Sequence, residues 1–357
     1  MITTAIVNVT SYTGLELLRL LVQHPQFVVT SVTARSAVGR RLDEVFPQLR
    51  SISGMAGNAA TGVDPALLIT EEPRQTELAF VCLPHAAAAP MVASLLERGT
   101  KVVDLSADFR LYDVAIYEEW YKHTHPVPAL LETAVYGLPE RHRARLREAT
   151  LVANPGCYAT AAILALLPAF STGSIEPGVI IDAKSGVSGS GRGLTLGTHY
   201  AEVNEDVSAY SMSGHRHLPE IIQELVKGAI AGGHALDQPP RVTFVPHLMP
   251  MTRGILATCY ADMRGNAAPV DVISLYAKYY ADEPFVHVVD QSPHTKWTYG
   301  TNHCFIYPTV DTRTGRLIVV ACLDNLVKGA AGQAIQNANV LNGVAETAGL
   351  SAVAVYP

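Results

Sequence analysis

Leu151-Val152-Ala153-Asn154-Pro155-Gly156-Cys157-Tyr158-Ala159-Thr160, continuing into Ala161-Ala162-Ile163-Leu164-Ala165-Leu166-Leu167, lies near the middle of a chain of 357 residues. The first three residues read as a short apolar strand, Pro155-Gly156 as a tight turn, and 157 to 167 as a helix. A strand that feeds a helix through a tight turn is the repeating step of an α/β sheet. It also sets a thiol at a helix N-terminus, where partial positive charge and unpaired N–H groups favour thiolate over thiol and receive an oxyanion. A cysteine is more often a small buried hydrophobe. The Pro-Gly turn argues against that for Cys157.

Upstream, residues 4–9 read as a strand, 14–21 as a helix and 27–32 as a second strand ending in Thr33-Ala34-Arg35-Ser36. This βαβ unit has its phosphate turn between residues 8 and 14. A glycine-rich dinucleotide turn has glycine at 8, 11 and 14, and only Gly14 is present. Asn8 is the non-glycine residue that best tolerates positive φ, and Ser11 is small enough for close backbone approach. An acidic residue after the second strand would hold the ribose 2′-hydroxyl of NAD. Thr33, Arg35 and Ser36 suit a 2′-phosphate instead, so NADP is the expected form of a nicotinamide cofactor. Strand and helix signals at 78–83, 86–97 and 101–105 continue the alternation and imply a parallel sheet covered on both faces. Arg110 then falls just beyond a strand's carboxyl end, where open α/β sheets bind ligands.

Downstream, 178–183 reads as a strand leading into 184–193, a loop dense in Gly and Ser that offers backbone N–H groups to an anion or serves as a surface linker. Next come His215, Arg216 and His217, just ahead of a helix with Pro219 in its first turn. An imidazole turned toward Cys157 would give the thiol–imidazole pair of a covalent catalyst. Strands in 241–262 and at 316–323, a helix near 269–281 and a small-residue helix from 324 to about 342 complete the chain. The Gly and Ala of that last stretch permit close packing against a sheet or a cofactor.

Three of the five cysteines, Cys82, Cys259 and Cys322, lie in apolar strand-like runs and read as core. An odd count without a C-x-x-C pair speaks against a zinc site and a disulfide framework. His123 and His125 lack helical spacing, so no metal site is expected. The length implies two domains. A net charge of −6 without a basic tract speaks against nucleic acid as a partner. No apolar run approaches the roughly 18 residues that span a bilayer. Met1-Ile2-Thr3-Thr4 runs straight into a strand without a charged leader, so a cytoplasmic enzyme is expected.

Taken together, Tyr12-Thr13-Gly14 with Glu16-Leu17-Leu18-Arg19, and segments 104–110, 154–160, 184–192, 214–221, 246–256 and 324–333, resemble the N-acetyl-gamma-glutamyl-phosphate reductases in order and over nearly the whole chain. That family is related in architecture to the aspartate-semialdehyde dehydrogenases. The resemblance implies an α/β protein with a Rossmann-type parallel-sheet domain, residues 1–154 plus 326–357, and an inserted α+β catalytic domain of mixed sheet, 155–325. It implies NADPH-dependent reduction of an acyl phosphate through a cysteine thioester in arginine biosynthesis, with Cys157 as nucleophile and His217 or His215 as acid–base. Arg110, Arg216 and Glu220 would meet the substrate. Ser11, Tyr12, Thr13, Gly14, Arg35, Ser36, Ser185, Gly186, Ser188, Gly189 and Asn325 would contact NADP. A homo-oligomer is expected. Asn8 and Ser11 stand where the family has glycine. Two other readings share these residues: reduction of an aminoadipyl or carrier-bound acyl phosphate, and a Cys–His acyltransferase or hydrolase without nicotinamide.

Overall fold

The computed structural model describes residues 1–52, 62–265 and 268–356. They divide into two compact units: Met1–Pro155 with Ala330–Ser351, and Gly156–Gly329 with Ala352–Pro357.

In unit 1, strands β1 (Ile2–Val7), β2 (Phe27–Thr33), β3 (Leu78–Val81), β4 (Lys101–Asp104), β5 (Val135–Tyr136) and β6 (Leu151–Ala153) form one sheet in the order β2-β1-β3-β4-β6-β5. Every pair in it is parallel. Helices α1 (Tyr12–Leu21), α2 (Leu42–Val45), α3 (Ala88–Glu97), α4 (Val114–Tyr121) and α5 (Pro139–Leu146) surround it, with the returning helix Gly332–Leu341. A parallel sheet is covered on both faces, and its strands read as continuous apolar runs. The four residues of β3, Leu78, Ala79, Phe80 and Val81, are accordingly all fully buried. Ala79 and Val81 pack with α3 through Ala88, Ala89, Val92 and Leu95. The returning helix lies against α1, α5 and β4. Strand order reverses between β1 and β3, and ligands of open α/β sheets bind at that switch, beyond the strands' carboxyl ends.

In unit 2, β7 (Ile175–Gly186), β8 (Ser208–Ala209), β9 (Arg241–Met249), β10 (Ile255–Met263), β11 (Val286–Val288), β12 (Cys304–Asp311) and β13 (Arg316–Leu323) form a sheet in the order β11-β12-β13-β10-β7-β9-β8. It is mixed: β11–β12 and β7–β9 are parallel and the other pairs antiparallel. Helices α6 (Cys157–Ser171), α7 (Tyr200–Val203), α8 (Leu218–Ala231) and α9 (Pro269–Tyr279) complete the unit. Burial alternates along Ile255–Asp262 of β10 and along β12, as period-two side chains require when one face is packed and the other open. The packed face lies against α6.

Helix α6 is buried from Tyr158 to Phe170 and contains Pro168, which has no N–H for the carbonyl of Leu164 four residues earlier. The hydroxyl of Tyr280 donates to that carbonyl at 2.6 Å, and Tyr276 donates to the Ala165 carbonyl at 2.8 Å. Tyr280→Phe would leave a buried acceptor without this donor. It is expected to cost about 1–3 kcal/mol, read as a lower urea midpoint; an unchanged midpoint would mean that the carbonyl is satisfied from elsewhere.

Cys82, Cys259 and Cys322 are buried as expected, and Cys304 joins them in β12. The stretch from 324 is not one continuous α-helix. Val327–Ala331 is a π turn, and the α-helix begins at Gly332. Among the described residues no helix is long and apolar enough to cross a membrane, and no group of three His, Cys, Asp or Glu is placed to hold a metal ion. His125 instead bonds through Nε2 to the Asp108 carbonyl oxygen at 2.8 Å.

Candidate active site

Unit 1 carries the turn after β1. Asn8 adopts φ 65° and its Nδ2 donates to the Cys82 carbonyl at 2.8 Å, so this side chain both tolerates the left-handed backbone and ties the ends of β1 and β3. Ser11 has φ −70°, a conformation that needs no glycine, and its Oγ accepts the Gly14 N–H at 3.0 Å as the cap of α1. Gly14 is required sterically: a Cβ there would lie 2.7 Å from the Asn8 carbonyl oxygen and 2.8 Å from the Val9 Cα. The remaining N–H groups of a helix's first turn have no partner inside the helix. Tyr12 and Thr13 occupy that turn. The Cys82 thiol, near the Thr13 and Ser11 hydroxyls, is pushed up to about 12 by burial and stays protonated. Arg35 and Ser36 lie exposed in the short turn after β2. These features fit a nicotinamide dinucleotide.

The loop after β4 is tied together by its own acids. Asp108 is fully buried and accepts from the Ala86 N–H at 2.7 Å, the Tyr117 hydroxyl at 2.9 Å and the Ala89 N–H at 3.0 Å. Arg110 donates Nε to the Asn154 carbonyl at 2.8 Å and Nη2 to the Leu105 carbonyl at 3.1 Å. It therefore clamps the residue three positions ahead of Cys157. Asp104, which accepts from the Ser106 hydroxyl at 2.6 Å, is raised by burial to about 7.

A carboxyl whose folded pKa lies above its unfolded value of about 3.9 binds extra protons in the folded state, so its contribution to stability is lost as pH rises toward 7. Asp104→Asn is expected to gain on the wild type by a few kcal/mol, in order of magnitude, as pH rises from about 5 to 8. Thermal melts across that range check this; a constant gap between the two proteins would contradict it.

Unit 2 carries the thiol. Of the five free cysteines Cys157 alone is not buried, and it is the first residue of α6, capped by Gly156 at φ −71° and ψ 150°. His217 and Glu220 close over Gly156. A Cβ on that glycine would collide with His217 Nε2 and lie 2.5 Å from Glu220 Oε1, so the residue before the thiol has no side chain because the imidazole and carboxylate occupy its place. His217 Nε2 stands 3.9 Å from Glu220 Oε1, and Glu220 Oε2 accepts a long hydrogen bond of 3.5 Å from the Gly156 N–H. Glu220 is 1% exposed.

His215 has a different character. Its Nδ1 accepts the His217 N–H at 3.1 Å, which leaves the neutral ring's proton on Nε2. Burial first, then the charge of Arg216, lowers it to about 4. Its ring meets Tyr158, Tyr210, His217 and Phe244 edge-on. The Tyr210 hydroxyl donates to Tyr158 at 3.2 Å, and Tyr158 donates to the His247 carbonyl at 3.0 Å. Burial raises both phenols, so both remain neutral.

The Gly-Ser loop is framed by a neighbouring loop. The N–H groups of Gly186, Val187 and Ser188 are bonded to the carbonyls of Gly254, Met251 and Thr252 at 2.9, 2.9 and 3.1 Å. A Cβ on Gly186 would lie 2.7 Å from the Arg253 nitrogen, which is why glycine sits there. Asn325 joins the two loops: its Oδ1 accepts the Gly254 N–H at 2.8 Å and its Nδ2 donates to Ser188 Oγ at 2.9 Å. Lys184 turns away from the loop to pair with Asp182 at 2.7 Å, on the side of β7 opposite buried Ser185. Ser185, Gly186, Ser188, Gly189 and Asn325 are thus brought together as a framed loop, as Cys157, His217, Glu220 and His215 are around α6.

The chain matches two family models in sequence: the semialdehyde dehydrogenase NAD binding domain over residues 3–149 and the semialdehyde dehydrogenase dimerisation domain over 157–325. It is 52% identical to the N-acetyl-gamma-glutamyl-phosphate reductase of Dehalococcoides mccartyi strain CBDB1 over 99% of this chain and 98% of that protein. It is 48% identical to the enzyme of that name from Heliobacterium modesticaldum over 100% of both. In fold it is similar to aspartate semialdehyde dehydrogenase II of Vibrio cholerae, solved with ASA, at TM-score 0.69 and 16% identity over 96% of this chain and 98% of that one. The aspartate semialdehyde dehydrogenase of Candida albicans, solved with NADP, gives TM-score 0.68 and 14% identity over 96% and 99%. With semialdehyde dehydrogenase models matched over 3–149 and 157–325 and full-length relatives at 52% and 48% identity, the chain belongs to the N-acetyl-gamma-glutamyl-phosphate reductases of the semialdehyde dehydrogenase family.

Proposed function

We propose that the protein reduces N-acetyl-gamma-glutamyl phosphate to N-acetylglutamate semialdehyde and phosphate with NADPH, in arginine biosynthesis, through a thioester on Cys157. The observation that carries this reading is the seating of His217 and Glu220 over Gly156, immediately before the one accessible thiol. The Cys157 sulfur attacks the acyl carbon, and the C–O bond to phosphate breaks with its electron pair leaving on phosphate. NADPH, when bound, supplies the hydride. The C–S bond then breaks, the aldehyde leaves and the thiolate returns. His217 takes the thiol proton at the start, lends it to the oxyanion of the reduced intermediate and takes it back as that oxygen becomes the aldehyde carbonyl and the thiolate leaves. Glu220 orients His217, and the N-terminus of α6 faces the oxyanion. Arg110 anchors the residue leading into the thiol turn, and exposed Arg216 meets an anionic group of the substrate.

Ser11, Tyr12, Thr13 and Gly14 would hold the pyrophosphate, and Arg35 and Ser36 the 2′-phosphate that distinguishes NADP from NAD. The open face of the unit 2 sheet offers Ile180, 44% exposed, with a depression of about 430 Å³ lined also by Asp182, Val245, His247, Tyr260 and Arg316. We assign that face to self-association into a homo-oligomer. Five free thiols suit a reducing compartment such as the cytoplasm.

The reverse reaction tests the activity. Folded, reduced protein with NADP⁺ and N-acetylglutamate semialdehyde should raise absorbance at the nicotinamide band only when phosphate is added. No phosphate-dependent rise would remove the reading, and a faster rate with the aminoadipyl semialdehyde would reassign the substrate. Arg35→Ala should raise the KM for NADP⁺ about tenfold and leave that for NAD⁺ unchanged, since an exposed charge-assisted hydrogen bond contributes about 1.5 kcal/mol. Equal effects on both would place Arg35 outside the 2′-phosphate site.

A further inference from the structure

We propose that Gly329 is a positioning residue for the nucleophile: the π turn Val327–Ala331 holds its bare Cα against the Cβ of Cys157 and so fixes where the thiol stands. This rests on Cys157 being the nucleophile. A Cβ on Gly329 would lie 2.7 Å from Cys157 Cβ, closer than real Cβ contacts come, and a tight 3.2 Å from Cys157 Cα. Only glycine lets the backbone approach the first turn of α6 this closely. The wall faces Cβ itself, so it fixes the stem from which the sulfur projects.

The wall is rigid because a buried carboxylate builds it. Asp324 is fully buried. Its Oδ1 accepts the Leu326 N–H at 2.8 Å and the Val327 N–H at 3.2 Å, its Oδ2 accepts the Gly300 N–H at 2.7 Å, and Arg253 Nη1 stands 3.6 Å from that oxygen. The Asp324 carbonyl takes the Gly329 N–H at 2.9 Å. Both the start and the middle of the turn are therefore pinned to one residue. Single π turns inside helices recur at functional sites because they break the regular spacing and bring one residue out of its α-helical place. Here the displaced residue is the one that meets the thiol's stem.

Gly329→Ala tests the proposal. Displacing a reacting group by a fraction of an ångström to one ångström costs up to about 100-fold, so kcat should fall about 10- to 100-fold with both KM values within roughly twofold of wild type. The pH midpoint for alkylation of Cys157 by iodoacetamide should shift as well. Gly178→Ala, in the same unit with Arg241 3.9 Å from the added carbon, is the control that keeps its rate. A double-mutant cycle in Tm decides the matter even where Gly329→Ala is too unstable to assay. The Tm loss from Gly329→Ala should persist in a Cys157→Ala background, which keeps the Cβ, and shrink to less than about half in Cys157→Gly, which lacks it. A wild-type kcat for Gly329→Ala, or an equal Tm loss in all backgrounds, would overturn the proposal. Retained turnover in Cys157→Ala would instead remove the nucleophile assignment, and the Tm cycle reads independently of it.

Discussion

Cys157→Ser is expected to lower turnover by at least about 10³-fold while NADPH binding stays unchanged, because nucleophile losses in covalent catalysts are of that size or larger. Serine keeps the shape of the side chain and its place at the start of α6. It loses the ionisation. A free thiol with pKa about 8.5 is a few per cent thiolate at neutral pH, whereas an alcohol is not ionised there. Phosphate release from the acyl phosphate and fluorescence titration with NADPH measure the two halves of the expectation. Comparable turnover in the variant would place the nucleophile elsewhere.

His217→Gln is expected to lower kcat by about two to four orders of magnitude, the usual worth of a positioned acid–base group, and to flatten the pH dependence of the chemical step. A helix N-terminus is worth about 0.3–1 kcal/mol, less than about one pKa unit, so the proposed mechanism asks for a base as well. The two histidines that the sequence leaves paired sit in different settings. His215 accepts the backbone N–H of His217 and is lowered to about 4, so it is neutral near physiological pH and has no proton to exchange at Nδ1. His215→Gln should therefore retain a pH-dependent kcat where His217→Gln does not. The same wild-type limb in both variants would contradict the assignment. Because the folded pKa of His215 lies below its free value, the protein also loses stability as pH falls from about 6.5 toward 4.

The strand, turn and helix around Cys157 are legible because each residue type there has one dominant local use: apolar strand, Pro-Gly turn, apolar helix. Asn8 was readable for a similar reason. A left-handed residue in that turn calls for glycine or asparagine, and φ is 65°. Ser11 was readable only in part. It stands where the family has glycine and is small enough for close backbone approach, but its negative φ and its hydroxyl cap on α1 show only in the structure. The hydrogen-bonding of Lys184 and of the N–H groups of 186–188 is not legible, since adjacency in sequence does not tell which face of β7 a side chain takes or which loop completes the hydrogen bonds. The small-residue stretch after 324 hid the π turn, because Gly and Ala fit α and π geometry equally well in composition. What decides there is Asp324, whose backbone N–H partners include one 24 residues away at Gly300.

The most direct test of the covalent route mixes the protein with N-acetyl-gamma-glutamyl phosphate in the absence of dinucleotide, quenches with acid and measures the mass of the peptide containing Cys157. The mechanism predicts one N-acetylglutamyl group on that cysteine, matched by one equivalent of phosphate released and discharged as aldehyde when NADPH is added before the quench. Phosphate release without an adduct, or an adduct on any other residue, would contradict it.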